Sequence, residues 1–197
     1  MSGDLRKILS NTLWMIFDKV FLLVLNLVVT VKIANYFGVM EYGNYQYAVS
    51  VVTILEILVA FVDGRVVKKR YIYNDPGNLV YNATICRVIF SVGTALIGLI
   101  FIIVAKRGNQ FSIMFSILLI NSILVNLRFG MANRFEYLLK SKKTVIAADI
   151  SALLSSILQL TVVQLQGTII TISVIATVSS GVNLCIVAIQ YKNEFAN

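Results

Sequence analysis

Charged side chains interrupt the long apolar stretches of this chain, where a charge is costly and its presence points to a function. The cations inside those stretches are Lys19, Lys32, Arg87 and Arg128. Carboxylates lie among them, so the interior does not carry one sign of charge alone. Mixed signs suit a path for a charged, polar cargo, and we predict that these four cations bind it.

Three carboxylates are candidates for coupling to an ion or a proton, namely Glu56, Asp18 and Asp63. Glu56 lies deepest in its apolar stretch and is the hardest to explain as a surface charge. The structural alternative is that Glu56 pairs with a cation on another helix, such as Lys19 or Arg87. Asp63 and Lys19 lie near the ends of their stretches. An alternative explanation for both is that their charged groups extend to the membrane surface.

Helical spacing aligns several of these polar residues. An α-helix turns by about 100° per residue, so positions seven apart nearly superimpose. This spacing aligns Lys19 with Asn26, Glu56 with Asp63, and Asn121 with Arg128. We therefore add Asn26 and Asn121 to the residues predicted to bind cargo, although amides in a membrane bundle also serve helix packing.

The sequence contains no recognisable enzyme motif. It lacks the phosphate-binding loop, the dinucleotide-binding turn and the nucleophile elbow, and no acid, base and metal-ligand set converges. Histidine is absent, and the two cysteines, Cys86 and Cys185, lie far apart inside apolar stretches, which predicts buried free thiols. We predict a protein that is not an enzyme and that has no catalytic residue, metal or cofactor.

Composition places the chain in a membrane. Of its 197 residues, 58% are hydrophobic and only 13% are charged, and the mean hydropathy is +0.86. A soluble domain of this size could not bury so much apolar surface. The net charge of +8 comes mainly from residues at the ends of apolar stretches, so it indicates membrane topology rather than nucleic-acid binding. We predict an all-α integral membrane protein.

The apolar stretches have the length of about 20 residues that a membrane-spanning helix needs. They predict a single bundle of six spans, at approximately 13–36, 43–64, 79–105, 111–133, 144–164 and 168–190. Residues 37–43 form the turn of a tight transmembrane hairpin. The first stretch is too long for a cleaved signal peptide and is predicted to be a retained helix.

Lysine and arginine in the short loops predict the orientation. Eleven of them fall on the side that holds both termini, and two, Lys106 and Arg107, fall on the other. Since cytoplasmic loops carry the excess of positive charge, both termini are predicted to be cytoplasmic.

Several short motifs in the first hairpin carry a family resemblance. They are Asn11 and Trp14, Asp18-Lys19-Val20, Ile33-Ala34-Asn35-Tyr36-Phe37-Gly38, Glu41-Tyr42-Gly43 with Tyr45, Tyr47, Ala48 and Ser50, and Val62-Asp63-Gly64 with Val66 and Val67. The hairpin resembles the bacterial polysaccharide flippases of the Wzx type, in the multidrug/oligosaccharidyl-lipid/polysaccharide exporter superfamily. The resemblance covers about the first 70 residues. Asn35 departs from the family pattern, which commonly has arginine there.

The resemblance implies a function and a place of action. Such proteins flip lipid-linked oligosaccharide units across the bacterial inner membrane by alternating access, in O-antigen, lipopolysaccharide and other polysaccharide biosynthesis. The implied cargo is a polyprenyl pyrophosphate-linked oligosaccharide, which the cations attract. Implied partners are membrane lipids and polysaccharide polymerase machinery, and nucleic acid is not among them.

The family pattern has 12 or more spans in two lobes, so the resemblance implies that this chain is the amino-terminal lobe. A second lobe or a second copy of the chain is then expected to complete the cavity. Two alternatives remain open: a drug or cation antiporter of the same superfamily, and a non-transporting scaffold in a polysaccharide assembly complex.

Overall fold

Helices make up nearly all of the described chain, and no strand occurs among the described residues. The computed structural model describes the backbone of residues 2–71 and 76–195, and the side chains of residues 19–71 and 77–195. The helices are α1 (Ser2–Val59), α2 (Gly64–Arg70), α3 (Pro76–Ala105), α4 (Asn109–Leu127), α5 (Phe129–Tyr137), α6 (Lys142–Gln164) and α7 (Ile169–Phe195). The prediction of an all-helical chain is therefore confirmed.

Gly38 divides α1 into two arms. Its backbone angles, φ 73° and ψ 174°, are non-helical, whereas the residues on both sides of it are helical. Glycine occupies this region because it has no Cβ. The seven-residue turn expected at 37–43 is thus reduced to one residue, and Gly43 lies inside the helix.

The two glycines give a matched test of this break. Gly38→Ala is expected to lower the free energy of unfolding by about 1–3 kcal/mol, because alanine is strained at this backbone conformation. Gly43→Ala has open space around the added Cβ and is expected to be neutral or to stabilise by about 0.5–1 kcal/mol. Unfolding in mixed micelles, followed by circular dichroism, measures both. An equal loss of stability in the two variants would contradict the assignment of the break to Gly38.

One end of the bundle, here called the Gly38 end, gathers three turns. The Tyr36 hydroxyl donates a hydrogen bond to the Gly167 carbonyl at 3.3 Å, which joins the first arm of α1 to the α6–α7 turn. The Arg107 guanidinium lies 4.3 Å from the centre of the Tyr47 ring, which joins the second arm to the α3–α4 turn. These contacts bring the Gly38 break and both turns to the same end.

The opposite end, here called the α2 end, is crossed by ion pairs. Lys68 pairs with Glu136, and Glu194 pairs with both Lys140 and Lys143. The first pair joins α2 to α5, the Lys140 pair joins the α5–α6 connection to α7, and the Lys143 pair joins the start of α6 to α7. Because these side chains are partly exposed, each pair contributes little to stability individually.

Tyr71, just after α2, also packs at the α2 end. Its ring stacks on Tyr137 with the ring centroids 4.8 Å apart. Burial, with a smaller contribution from nearby Tyr191, raises the pKa of Tyr71 to about 12. The hydroxyl of Tyr71 therefore stays protonated at neutral pH.

The largest apolar cluster centres on α4. Phe115 is fully buried and stacks on Phe111 with the ring centroids 5.7 Å apart. The cluster draws residues from both arms of α1, from α4 and from α7: Val29, Ile33, Ala48, Val52, Met114, Leu118, Leu119, Ile169 and Ile172. Both arms of α1 therefore contribute to the same apolar cluster as α4.

A one-residue break at Arg128 separates α4 from α5, where a continuous span over 111–133 was expected. Just after this break, α5 packs closely against α3. A Cβ on Gly130 would lie 2.4 Å from the Val80 carbonyl oxygen, so the backbones of α5 and α3 are in direct contact there. A glycine at this position lets α5 lie directly against α3.

Five helical segments of the described chain are long and apolar enough to cross a membrane. The first of these runs through both arms of α1 and on through α2, from Lys19 to Arg70. This pattern indicates a multi-pass membrane protein. The expected free thiols are found, but Cys86 and Cys185 are exposed on the surface of the bundle, so their predicted burial is wrong.

Candidate functional site

Three cavities that share lining residues lie along α4 and α5, and together they are here called the groove. The arginine pocket, of about 340 Å³, is lined by Arg87, Asn126, Arg128, Phe129, Asn133 and Thr144 among others. The serine pocket, of about 250 Å³, is lined by Asn121, Arg128, Ser151, Ser155, Ser179 and Asn183 among others. The Glu56 chamber, of about 180 Å³, is lined by Tyr45, Thr53, Glu56, Asn121 and Ser122 among others. Arg128 belongs to the first two cavities and Asn121 to the last two.

Arg87 is held firmly in the arginine pocket. Its Nε donates to Asn126 Oδ1 at 2.8 Å, and its Nη1 donates to the Val62 carbonyl at 2.9 Å. Its guanidinium lies 3.9 Å from the centre of the Phe129 ring, within cation–π range. Arg87 thus connects α3 to α4, to α5 and to the segment after α1.

Arg128 is held much more loosely. Among the described residues its one hydrogen bond runs from Nη1 to Asn183 Oδ1 at 3.3 Å, and it takes part in no ion pair. A guanidinium has five N–H donors in a planar fork, which matches a phosphate or carboxylate. Arg128 therefore retains donors for a ligand at the junction of two cavities.

Glu56 has a hydroxyl as its direct partner. Ser122 Oγ donates to Glu56 Oε1 at 2.6 Å. The Arg87 side chain is close enough to interact electrostatically with Glu56 and Asp63. No ion pair among the described residues includes Glu56, so the direct pairing considered as its structural alternative is not formed.

Asp63 has a local structural contact. It is the N-cap residue of α2, and its Oδ1 accepts a hydrogen bond from the backbone N–H of Arg65 at 2.7 Å. An acceptor at this position satisfies one of the unpaired N–H groups of a helix start. The side chain is exposed and does not line the groove, so the structure does not bring Asp63 together with Glu56 there.

The other predicted residues lie elsewhere. Lys19, Asn26 and Lys32 are exposed on the first arm of α1 and do not line the groove. The side chain of Asp18 lies outside the described residues. The seven-residue spacing that aligned Lys19 with Asn26 in the sequence thus produces a stripe on the outside of the bundle.

Sequence reasoning missed two residues of the site. Asn183 is buried on α7 and is the hydrogen-bond acceptor of Arg128. Phe129 follows Arg128 in the chain and supplies the ring on which Arg87 stacks. Asn183 could have been found in the sequence, because it is an amide within a long apolar stretch. Phe129 could not, because it is one of many aromatic residues.

This arrangement can bind an anion with polar substituents. Arg128 and Arg87 supply charge, while the serine and asparagine side chains offer donors and acceptors of the kind that sugar hydroxyls need. No group of three or more histidine, cysteine or acidic side chains placed to hold a metal occurs among the described residues. Compared with known proteins, the chain matches no family model, no curated protein and no solved structure.

Proposed function

We propose that this chain is one lobe of an exporter that flips lipid-linked oligosaccharides across the bacterial inner membrane by alternating access. The observation that carries the proposal is the pair Arg87 and Arg128 in one groove, without an ion pair to either among the described residues. Glu136 also lines the arginine pocket, but it is paired with Lys68, so an intramembrane Arg128 without an ion pair is expected to face a substrate.

The pyrophosphate of the cargo binds at Arg128. Arg128 has free donors and lies at the junction of the arginine and serine pockets, so it can receive the phosphates while the sugars extend along the groove. Arg87 has fewer donors left than Arg128, because two of its five N–H groups are already donated within the protein. It adds long-range attraction and keeps the pocket in shape.

We also propose six crossings with cytoplasmic termini. Each arm of α1 then spans the membrane, since one straight helix of 58 residues would be far longer than the roughly 30 Å of bilayer hydrocarbon. The basic segments 65–70 and 134–143 lie at the α2 end, so the positive-inside rule makes this end cytoplasmic.

A second lobe or a second copy of the chain completes the cavity. Polar groups at membrane depth must face protein or water rather than lipid, and the groove is open at one side in this bundle. Lys19, Lys32 and Asn26 on the exposed arm of α1 are then available to such a partner or to the cargo. Polysaccharide polymerase machinery is a further expected partner.

The groove favours this function over the two alternatives. A drug or cation antiporter would need a cavity that attracts cationic cargo, whereas the arginine pocket holds Arg87 and Arg128, and its carboxylate, Glu136, is already paired with Lys68. A scaffold that does not transport gives no reason for an intramembrane arginine with free donors. Nothing in the proposal requires catalysis.

Ligand competition on the full chain in nanodiscs tests the proposal. We expect saturable binding of a polyprenyl pyrophosphate-linked oligosaccharide, weaker binding of the neutral polyprenol, and no binding of a cationic dye such as ethidium. The charge on Arg128 is the physical reason for that order. Preferred binding of the dye would support the antiporter, and binding of none of the three would contradict the proposed function.

A further inference from the structure

The short helix α2 lies between two long apolar helices and carries positive charge only. The second arm of α1 ends just before it, and α3 begins a few residues after it. Its basic side chains are Arg65, Lys68, Lys69 and Arg70. Because charged groups are costly in bilayer hydrocarbon, so basic a segment is expected to lie at the membrane–water boundary, at the level of the lipid headgroups.

One face of α2 is fixed to the bundle. Val67 is buried in an apolar cluster with Tyr71 and Leu79, and Lys68 pairs with Glu136 on α5. The carboxylate of Asp63 caps the helix through the backbone N–H of Arg65. These contacts hold α2 against α3 and α5 and determine which of its side chains point away from the bundle.

The other face of α2 presents cations without protein partners. Arg65 and Lys69 are four residues apart, so they are neighbours on the helix surface. Both are exposed, and neither side chain has an ion pair or a hydrogen bond within the described chain. The carboxylates that contact α2 there, Asp63 and Glu136, are already engaged with the Arg65 backbone and with Lys68. This face therefore keeps a net positive charge.

Exposed apolar side chains lead up to these cations. Phe61 is 77% exposed, and Ile54 and Ile57, at helical spacing before it on the second arm of α1, are exposed too. The helical turn extends to Ala60, whose backbone N–H donates to the Glu56 carbonyl at 3.1 Å. An apolar row that ends beside a basic face has the chemistry of a phospholipid, whose acyl chains end at a phosphate.

We infer that the exposed face of α2 binds the headgroup of an anionic phospholipid, with Arg65 and Lys69 on its phosphate and Phe61 against an acyl chain. Basic segments next to spanning helices attract anionic lipids, and a guanidinium and an ammonium both donate to phosphate oxygens. An acidic protein segment would match the charges but would not explain the apolar row that leads to them.

This lipid site is separate from the cargo groove. No residue of α2 lines the arginine pocket, the serine pocket or the Glu56 chamber. The inference therefore does not rest on the proposed function. It requires only that the chain crosses a membrane, which its long apolar helices indicate.

Native mass spectrometry of the full chain in detergent micelles, titrated with phosphatidylglycerol or phosphatidylcholine of identical acyl chains, tests the inference. We expect the first phosphatidylglycerol to bind about tenfold more tightly than the first phosphatidylcholine, because only the former carries a net negative charge. Combining Arg65→Gln with Lys69→Gln is expected to remove this preference by weakening phosphatidylglycerol binding alone. Phe61→Ala is expected to weaken the binding of both lipids by a similar factor, since it removes apolar contact area.

Lys142→Gln combined with Lys192→Gln is the matched control. It removes two exposed cations at the same end of the bundle, from α6 and α7, and leaves α2 unchanged. We expect this variant to keep the preference for phosphatidylglycerol. Equal losses in the two double variants would show that the lipid responds to the charge of the whole end, and would overturn the inference.

Two further outcomes would also overturn it. One is equal binding of the two lipids by the unchanged protein. The other is displacement of phosphatidylglycerol by excess inorganic phosphate, which would identify a site for free phosphate rather than for a lipid. Since the titration contains no oligosaccharide, its result leaves the proposed cargo untouched. Melting of the lipid-free samples shows that each variant is folded.

Discussion

Replacing Arg87 with glutamine is expected to lower the free energy of unfolding by about 3 kcal/mol. Arg87 is the donor to the Val62 carbonyl and to Asn126 Oδ1, at 2.9 and 2.8 Å. Glutamine is shorter and carries both of its N–H donors on one nitrogen, so it cannot reach both acceptors and at least one of them loses its partner. The stacking of the guanidinium on the Phe129 ring, at 3.9 Å, is lost as well.

The lost charge adds to this effect. Glu56 and Asp63 both interact electrostatically with Arg87, so glutamine leaves two carboxylates with less compensation. Glu56→Gln in the Arg87→Gln background is therefore expected to restore part of the stability. Unfolding in mixed micelles measures the single and double variants, and strict additivity between them would contradict the electrostatic coupling.

Arg87→Lys is the matched control for charge. Lysine keeps the positive charge but cannot reproduce the planar fork or the stacking. We expect it to recover the attraction to the carboxylates and to remain less stable than the unchanged protein. A lysine variant as stable as the unchanged protein would show that charge alone holds this junction together.

Hydropathy was sufficient to predict the helical class, because a membrane-spanning helix needs a long apolar stretch whatever its neighbours are. The positions at which the helices break were less predictable. The turn at residues 37–43 contracts to Gly38 because a single glycine in an unusual conformation can end one helix and allow the next to begin. The break at Arg128 has no glycine or proline to mark it. Two residues further on, Gly130 packs against Val80, a contact that a linear sequence does not show.

The site was only partly predictable for a related reason. Periodicity shows which residues share a helix face, but it does not show which face the bundle covers. Asn121 and Arg128 share a face that lines the groove, whereas Lys19 and Asn26 share a face that is exposed. The seven-residue spacing therefore identifies residues that share a face in both cases, but only the face of Asn121 and Arg128 lines the groove.

The two arginines look equivalent in the sequence and differ in their surroundings. Arg87 has partners on several elements, and its removal is expected to affect stability first. Arg128 has one hydrogen bond, to Asn183 at 3.3 Å, and its removal is expected to affect binding first. An intramembrane charge with few protein partners costs stability in the free protein, which is common where a site is built for a ligand.

Under the proposed function, Arg128→Gln is expected to weaken binding of a polyprenyl pyrophosphate-linked oligosaccharide by about 10- to 100-fold, or about 1.4–2.8 kcal/mol. The thermal stability of the free chain is expected to stay the same or to rise, because a partly buried, unpaired charge has been removed. Arg128→Lys is expected to bind with intermediate affinity, since an ammonium is a point charge without the bidentate fork.

Binding to nanodiscs and melting of the same samples measure both quantities. Arg65→Gln is the matched control, because it removes one exposed positive charge of α2 and leaves the groove unchanged. If Arg65→Gln weakens binding as much as Arg128→Gln, the cargo responds to net charge rather than to the groove. If Arg128→Gln instead destabilises the free chain and leaves affinity unchanged, Arg128 is a structural residue and the anion site lies elsewhere.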